Sequence, residues 1–524
     1  MFRQPLRRNQ SRAAIAAGYT VPAPVGGWDT VSPLANMPEN SAINLDNWFP
    51  QAGYVEVRRG HASHATGMGS GAVETLMTYA GATGSASRLF ACTDGKIYNA
   101  TSSGSATSSV TSLTNNRWQW TNISTSAGKY LWCCNGVDQP RYYNGSSWAV
   151  PSLTITTFAD TDVVNVIVHK RRVWMVFKNS LTVGYLPVDS IAGTVTNFDL
   201  GPVFTRGGYV MAAATWTIDG GDGSDDKLVI ISSEGQVAVY IGTDPASSTT
   251  WGLEGVYNLG SPIGRRCFTR VGGDVALVNI DGVLPLSKAL GTDRGAAPQI
   301  AITARINQAM NDAARSYRTN FGWELTPYPK GTMAILNVPI REGSEQHQYV
   351  MNTLTGAWCR FIGQNANCWA VFDNNLYFGG NSGIVYKADT GPSDAGTAID
   401  AVGQCAYSYL GQRGRGKQFG LIQPLVTTDS DSNPSIGLST DFSDNAVLGT
   451  PTPSTVPVAR YDAGVYDTDV YPVERRSVAT WTGLSGYGQA GSIHFRAKTS
   501  GSGTTDVVVR VNGFNLTYTL GGFI

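Results

Sequence analysis

Residues 88–99 read RLFACTDGKIYN: a β-type run, an Asp94–Gly95 turn, and a second β-type run. Asp-Gly suits a two-residue hairpin, because both central positions of a type I′ turn need φ > 0. The pattern recurs outward along the chain. Residues 130–144 read YLWCCNGVDQPRYYN around Asn135–Gly136, and 172–185 read RVWMVFKNSLTVGY around Lys178–Ser180. Residues 228–241 read LVIISSEGQVAVYI around Glu234–Gly235, and 274–286 read DVALVNIDGVLPL around Asp281–Gly282. Residues 349–361 turn at Thr355–Gly356, and 369–386 carry two further turns, at Asn374–Asn375 and Asn381–Gly383. Asp94, Asn135, Asn179, Glu234 and Asp281 recur at intervals of about 40–55 residues, the range of propeller blades. Each blade is a small antiparallel sheet that cannot bury both faces alone, so blades stack radially. The expected class is all-β, with a β-propeller-like domain over 61–390.

Three segments depart from this pattern. Residues 1–60 carry Pro5, Pro22, Pro24, Pro33, Pro38 and Pro50, too many for helix or central strand. They read as an extended N-terminal arm whose anchors, Trp28, Leu34, Ile43, Leu45, Trp48 and Phe49, lie across a surface of the chain itself or of a neighbouring subunit. Residues 297–319 place Ile302, Ile306, Ala309, Met310 and Ala313 on one helical stripe, with Pro298 in the first turn. This is one inserted helix, packed on the propeller rim or against another subunit. Residues 391–524 alternate Gly/Ser/Thr/Asp/Pro-rich loops with short β-runs and read as a C-terminal β-sandwich-like domain.

Composition narrows the function. Among 524 residues, 38 Lys and Arg balance 38 Asp and Glu, and charged residues are only 15%. A globally basic nucleic-acid binder is excluded, and so is a self-repelling disordered chain, since 42% of residues are apolar. No run is long enough for a membrane-spanning helix. The apolar stretch at 13–17 is too short for a signal peptide, which implies folding in a cytoplasm. Seven irregularly spaced cysteines form no disulfide framework. Adjacent Cys133 and Cys134 read as ordinary strand residues before redox or metal ligands.

Motifs with chemical potential are weak. Residues 411–417, GQRGRGK, begin like a phosphate-binding loop, but Gln418 stands where the magnesium-ligating Ser/Thr belongs and a β-type run follows. Residues 220–227 (GGDGSDDK) and 429–433 (DSDSN) each resemble fragments of calcium loops; Pro434 and Thr440 break the second. His61 and His64 lack a third zinc ligand. No hydrolase or metalloprotease motif occurs, so neither catalytic residues, a cofactor nor a metal is assigned. Basic clusters at Arg413, Arg415 and Lys417, at Lys170, Arg171 and Arg172, at Arg265–Arg266 and at Arg475–Arg476 read as solvated faces, ion-pair members or sequence-independent contacts to DNA phosphates. The first two are the candidate DNA-facing residues. Trp118, Trp120, Trp148, Tyr142 and Tyr143 offer either blade packing or sugar stacking.

Residues 27–60, GWDTVSPLANMPENSAINLDNWFPQAGYVEVRRG, carry a further signal. The glycine-led opening, the Ala-x-Asn-x-x-Asn-Trp-Phe-Pro stretch from Ala42 to Pro50, then Gly53, Val55 and the Arg58–Arg59–Gly60 close resemble the N-terminal signature of tail nozzle or hub proteins of short-tailed bacteriophages, also called packaged-DNA stabilisation proteins. The resemblance implies a structural virion protein with no enzymatic activity. It implies a homo-oligomeric ring, usually a hexamer, beneath portal and adaptor rings. Such a ring extends the DNA channel, retains packaged DNA, supports ejection and carries fibres or spikes. It would be assembled in the host cytoplasm and located in the virion tail. The alternative is a receptor- or glycan-binding spike or fibre protein.

Overall fold

The computed structural model describes residues 16–217, 226–428, 434–443, 448–449, 451, 476–501 and 508–523. They divide into two compact units. One comprises residues 58–399 and 500–501; the other combines the described residues of 16–57, 400–499 and 508–523. The first is a propeller and the second a sandwich, so the chain is all-β, as expected.

Among the described residues the propeller consists of seven successive sets of three or four antiparallel strands, numbered here as blades 1 to 7. Their first strands are Thr75–Tyr79, Gln119–Thr125, Val163–His169, Val210–Trp216, Phe268–Val271, Glu324–Tyr328 and Cys368–Phe372. The last of these packs beside the first, which closes the circle. Blade 7 takes its outermost strand, His61–Thr66, from the start of the unit; it runs antiparallel to Val385–Ala388, with His61 opposite Ala388. Joining the two ends of the circle in one sheet leaves no seam to open without breaking strand pairing. Hydrophobic cores lie between blades. Met77, Phe90, Trp118, Leu131 and Cys133 fill one, and Trp132, Cys134, Val166, Met175 and Phe177 fill the next. Successive side chains on a strand point to opposite faces. Cys133 and Cys134 therefore enter different cores. All seven cysteines are buried thiols outside any disulfide, and burial pushes the Cys267 thiol up to about 12.

Blade 5 has only three strands, ending at Pro285. Helical turns follow: Leu286–Ala289, Ala297–Ile300 and Asn307–Tyr317. The expected helix over 297–319 is thus broken between Ala301 and Ile306. Its stripe is buried at Ile306, Met310 and Ala313. The Asn307–Tyr317 helix packs on the Met333–Arg341 strand of blade 6, so the rim of its own propeller covers the apolar face.

The second unit is discontinuous in sequence. Its first sheet pairs Ala17–Pro22 and Arg415–Thr428 to either side of Val509–Phe523, with Trp48–Pro50 and Val55–Val57 at one end. Its second sheet runs through Gly27–Trp28, Ser41–Asp46, Asp400–Cys405, Gly491–Lys498 and Ser435–Thr440. Phe495 of the second sheet meets Trp48 and Phe514 of the first, at ring separations of 5.1 and 5.6 Å. These contacts join the two faces of the sandwich. The N-terminal stretch is extended, as its prolines require; of its anchors Trp28, Leu45, Trp48 and Phe49 are buried in the sandwich of its own chain, Ile43 is half-buried and Leu34 is exposed. The expected boundaries at 60 and 390 are corrected accordingly: residues 16–57 belong to the same unit as the C-terminal strands rather than to a separate arm.

Several positions of the signature stretch have a structural reading. Ala42, Leu45, Trp48 and Phe49 are buried. Asn47 has φ +59°, a left-handed conformation that Asn tolerates, and its Nδ2 donates to the Asp400 carbonyl at 2.8 Å. In the propeller, the buried Arg58 makes a double hydrogen bond to Asp394 at 2.6 and 2.8 Å and donates to the Ile362 carbonyl at 2.8 Å. Burial raises the Asp394 pKa, but Arg58 and His61 outweigh that and bring it down to about 2. At Gly60, a Cβ would come within 1.9 Å of the Ser393 carbonyl oxygen. Arg58 and Gly60 thus clasp the strand that closes the circle.

Candidate functional site

Each blade's first strand begins at the same end of the propeller, and there a cavity of about 290 Å³ is lined by Arg117, Gln119, Val164, Arg265, Arg266 and Arg318, among others. Gly264, with φ +70°, makes the turn that delivers Arg265 and Arg266. The flanking backbone is tied to blade 5: Ile263 N donates to the Val278 carbonyl, and Val278 N to that of Cys267.

Arg266 is the floor of this site. Its guanidinium donates to the Glu74 carbonyl (3.2 Å) and Thr75 Oγ1 (2.8 Å) at blade 1 and to the Trp118 carbonyl (3.2 Å) at blade 2. It also pairs with Glu324 of blade 6 at 3.1 Å. One side chain entering from blade 5 therefore bonds to three other blades. Glu324 also accepts the backbone N–H of Trp369 in blade 7. Burial raises the Glu324 pKa, with Arg266 opposing. Arg117 pairs with Glu74 at 2.9 Å and with Glu342. The Phe321 ring lies 4.4 Å from the Arg117 guanidinium and 4.9 Å from that of Arg266.

Arg265 and Arg318 differ from these two. Arg265 donates to the Met211 carbonyl at 3.0 Å and lies near the Tyr209 ring, and burial lowers its pKa. Arg318 follows the Asn307–Tyr317 helix and is exposed. Among the described residues, neither guanidinium meets a carboxylate. The doublet Arg265–Arg266 was visible in the sequence; its axial position was not, because that depends on the closure of the circle.

The residues singled out for DNA lie elsewhere. Lys170 and Arg171 form the two-residue turn after the first strand of blade 3, at the far end of a strand whose other end, at Val164, lines the cavity. A six-residue run of strand separates the ends by roughly 17–20 Å. Arg171 pairs with Asp189, and Arg172 with Asp244 at 3.1 Å. Arg413, Arg415 and Lys417 belong to the sandwich. Arg413 donates to the Ala35 carbonyl and to Asn36 Oδ1, and Arg415 to the Gly521 carbonyl. Lys417 is buried, its ammonium donating to the carbonyls of Gln412 (2.6 Å), Gln489 (2.7 Å) and Arg415 (3.1 Å). A strand follows, not the helix of a phosphate-binding loop.

Other candidates resolve in the same way. Trp118 and Tyr143 are buried, and Trp120 and Trp148 pack against their cluster. Tyr142 packs in the neighbouring core. These aromatics pack within the blades, Trp120, Trp148 and Tyr142 being half-buried. His61 Nδ1 faces Asp394 at 3.0 Å, whereas His64 Nε2 meets the Ala100 carbonyl at 3.1 Å; they do not converge. Asp429–Asn433, most of residues 220–227 and Arg475 lie outside the described residues, as does the side chain of Arg476. Among the described residues no helix is long and apolar enough to cross a membrane.

No family model and no curated protein matches the sequence. Among solved structures, the chain is similar to BBS1N in complex with ARL6DN, soaked with lead (12% identity, TM-score 0.40, 65% of this chain and 100% of that one). The mercury-soaked form gives 13% identity and a TM-score of 0.38 over 63% of this chain and 97% of that one. An exo-β-1,3-galactanase from Phanerochaete chrysosporium with β-1,3-galactotriose gives 10% identity and a TM-score of 0.25 over 76% and 95%. At these values the likenesses carry no functional argument.

Proposed function

We propose that the chain is a structural protein of a virion tail, of the nozzle or hub type found in short-tailed bacteriophages. In this reading it forms a homo-oligomeric ring, a hexamer by analogy, that meets a portal or adaptor ring on one side and fibres or spikes on the other. The ring continues a channel that passes DNA without reading its sequence. The observation that supports this most is the role of the signature residues. Trp48 and Asn47 secure the sandwich, while Arg58 and Gly60 clasp the closing strand of the propeller. The residues that carry the resemblance are thus architectural, as suits a part selected for rigid assembly. The packing of Trp118 and Tyr143 inside the blades supports the structural reading over the receptor one.

Electron-microscopy class averages of the purified protein and of its parent particle test the proposal. The expected result is a ring with a central channel, coaxial with a tail. A protein that stays monomeric under all assembly conditions and is missing from particles, or one that forms a separate trimeric spike, overturns it.

A further inference from the structure

The axial cavity has a feature that the tail reading does not use. Arg266 and Arg117 are neutralised by Glu324, Glu74 and Glu342. Arg265 and Arg318 line the same cavity and, among the described residues, meet no carboxylate. Of these two, Arg265 is held in a partly dehydrated place, where a lone positive charge is unfavourable. Its Met211 contact satisfies one N–H of five. Gln119 and Asn115 add neutral hydrogen-bonding groups to the wall.

We propose that this cavity binds a small hydroxylated ligand through an oxyanion, a carboxylate or a phosphate monoester, received by Arg265 and Arg318. Guanidinium groups match planar or tetrahedral oxyanions with paired hydrogen bonds, and such charge-assisted bonds are the strong ones. The amides of Gln119 and Asn115 suit hydroxyl groups on the ligand body. A volume of about 290 Å³ lies near the lower end of small-ligand pockets. It fits one acidic or phosphorylated monosaccharide and is far too small for a duplex. Arg266 closes the floor, so the ligand sits in the mouth of the propeller and does not pass through it. The inference rests on the propeller alone and stands whether or not the protein forms a tail ring.

The test is calorimetric titration of the full chain at 150 mM salt with inorganic phosphate, glucose 6-phosphate and glucuronate, with glucose as the neutral control. At least one acid is expected to bind saturably, and glucose is not. Which acid binds separates a phosphate from a carboxylate ligand. Arg318→Gln is expected to weaken that binding about tenfold or more, the loss of one charge-assisted contact. Its exposed side chain makes the variant safe for folding, and Arg171→Gln, at the other end of the blade 3 strand, is expected to bind as the parent does. Failure of all three acids to bind overturns the proposal. So does undiminished binding in both Arg318→Gln and Arg265→Gln. Tight binding of a single-stranded oligonucleotide that none of the acids displaces assigns the site to nucleic acid and overturns it equally.

Discussion

Arg265–Arg266 in the propeller and Arg413–Lys417 in the sandwich look alike in sequence, as short basic runs beside a glycine, but the structure uses them differently. At the propeller axis Arg266 is a charge paired with a buried charge, Glu324, and its remaining donors reach carbonyls on two blades. In the sandwich, Lys417 is ringed by three carbonyl oxygens and, among the described residues, meets no carboxylate at hydrogen-bond distance, Asp441 acting on it only from farther away. A buried cation that faces neutral dipoles leaves behind only unsatisfied acceptors when removed. One that faces a buried anion leaves a stranded charge, which is the more damaging loss.

Arg266→Met should therefore be the largest effect. Removing one partner of a buried ion pair typically destabilises by about 3–5 kcal/mol, and here it also detaches blades 1 and 2. The penalty should depend on pH in a defined direction. Without Arg266, burial of Glu324 is opposed mainly by the Trp369 N–H and raises its pKa further, so the folded state holds the proton more tightly than the unfolded state. Stability then falls as pH rises from the ordinary Glu range through the folded pKa. The variant should be weakest at neutral pH and recover toward pH 5, and adding Glu324→Gln should flatten that profile. Urea unfolding followed by tryptophan fluorescence measures both. A loss below about 1 kcal/mol at pH 7 would refute the axial role, given the usual scale for such pairs.

Lys417→Met should come second, at about 1–3 kcal/mol, the usual penalty for buried acceptors left unpaired. The carbonyls of Gln412 and Gln489 belong to the turns before the Arg415–Thr428 and Gly491–Lys498 strands, and that of Arg415 to the first residue of the former. The loss should therefore appear as faster amide exchange at those two turns. If Lys417→Met costs more than Arg266→Met, the distinction between a charge facing dipoles and a charge facing an anion fails.

What the sequence made legible follows from the range of each interaction. The hairpins are local, and Asp94–Gly95 has both φ values positive, +48° and +67°, as its chemistry requires. The turn read at Asn374–Asn375 sits one residue earlier, at Asp373–Asn374, because both of those residues adopt positive φ. Asn135–Gly136 opens a longer loop, since the Asn135 side chain accepts from the backbone N–H groups of Val137 and Asp138 and holds the turn open. The pairing of Ala17–Pro22 with a strand ending at Phe523 was not legible. Its contacts span some 495 residues, and no local pattern encodes a partner that distant. The cavity was illegible for the same reason: its lining comes from several blades and meets only when the circle closes.

Lys170 and Arg171 sharpen the comparison from the other side, because here the basic residues carry conformational strain at the surface. They occupy both central positions of a two-residue turn at φ +49° and +58°, a conformation that suits Asn-Gly and disfavours long side chains. Lys170→Asn with Arg171→Gly installs the favoured pair. The gain from relieved strain is opposed by loss of the Arg171–Asp189 contact, in which the Arg171 side chain is 67% exposed, and such exposed pairs are worth about 0–1 kcal/mol. The net effect should be small and positive, about 0.5 kcal/mol in favour of the variant, on the scale measured for compatible backbone substitutions. A differential-scanning comparison with the parent reads it. A destabilisation would mean that the charges at this turn hold the blade together, placing Lys170 and Arg171 with Arg266 as structural cations. A stabilised variant separates them from Arg266 as cations on which the blade does not depend.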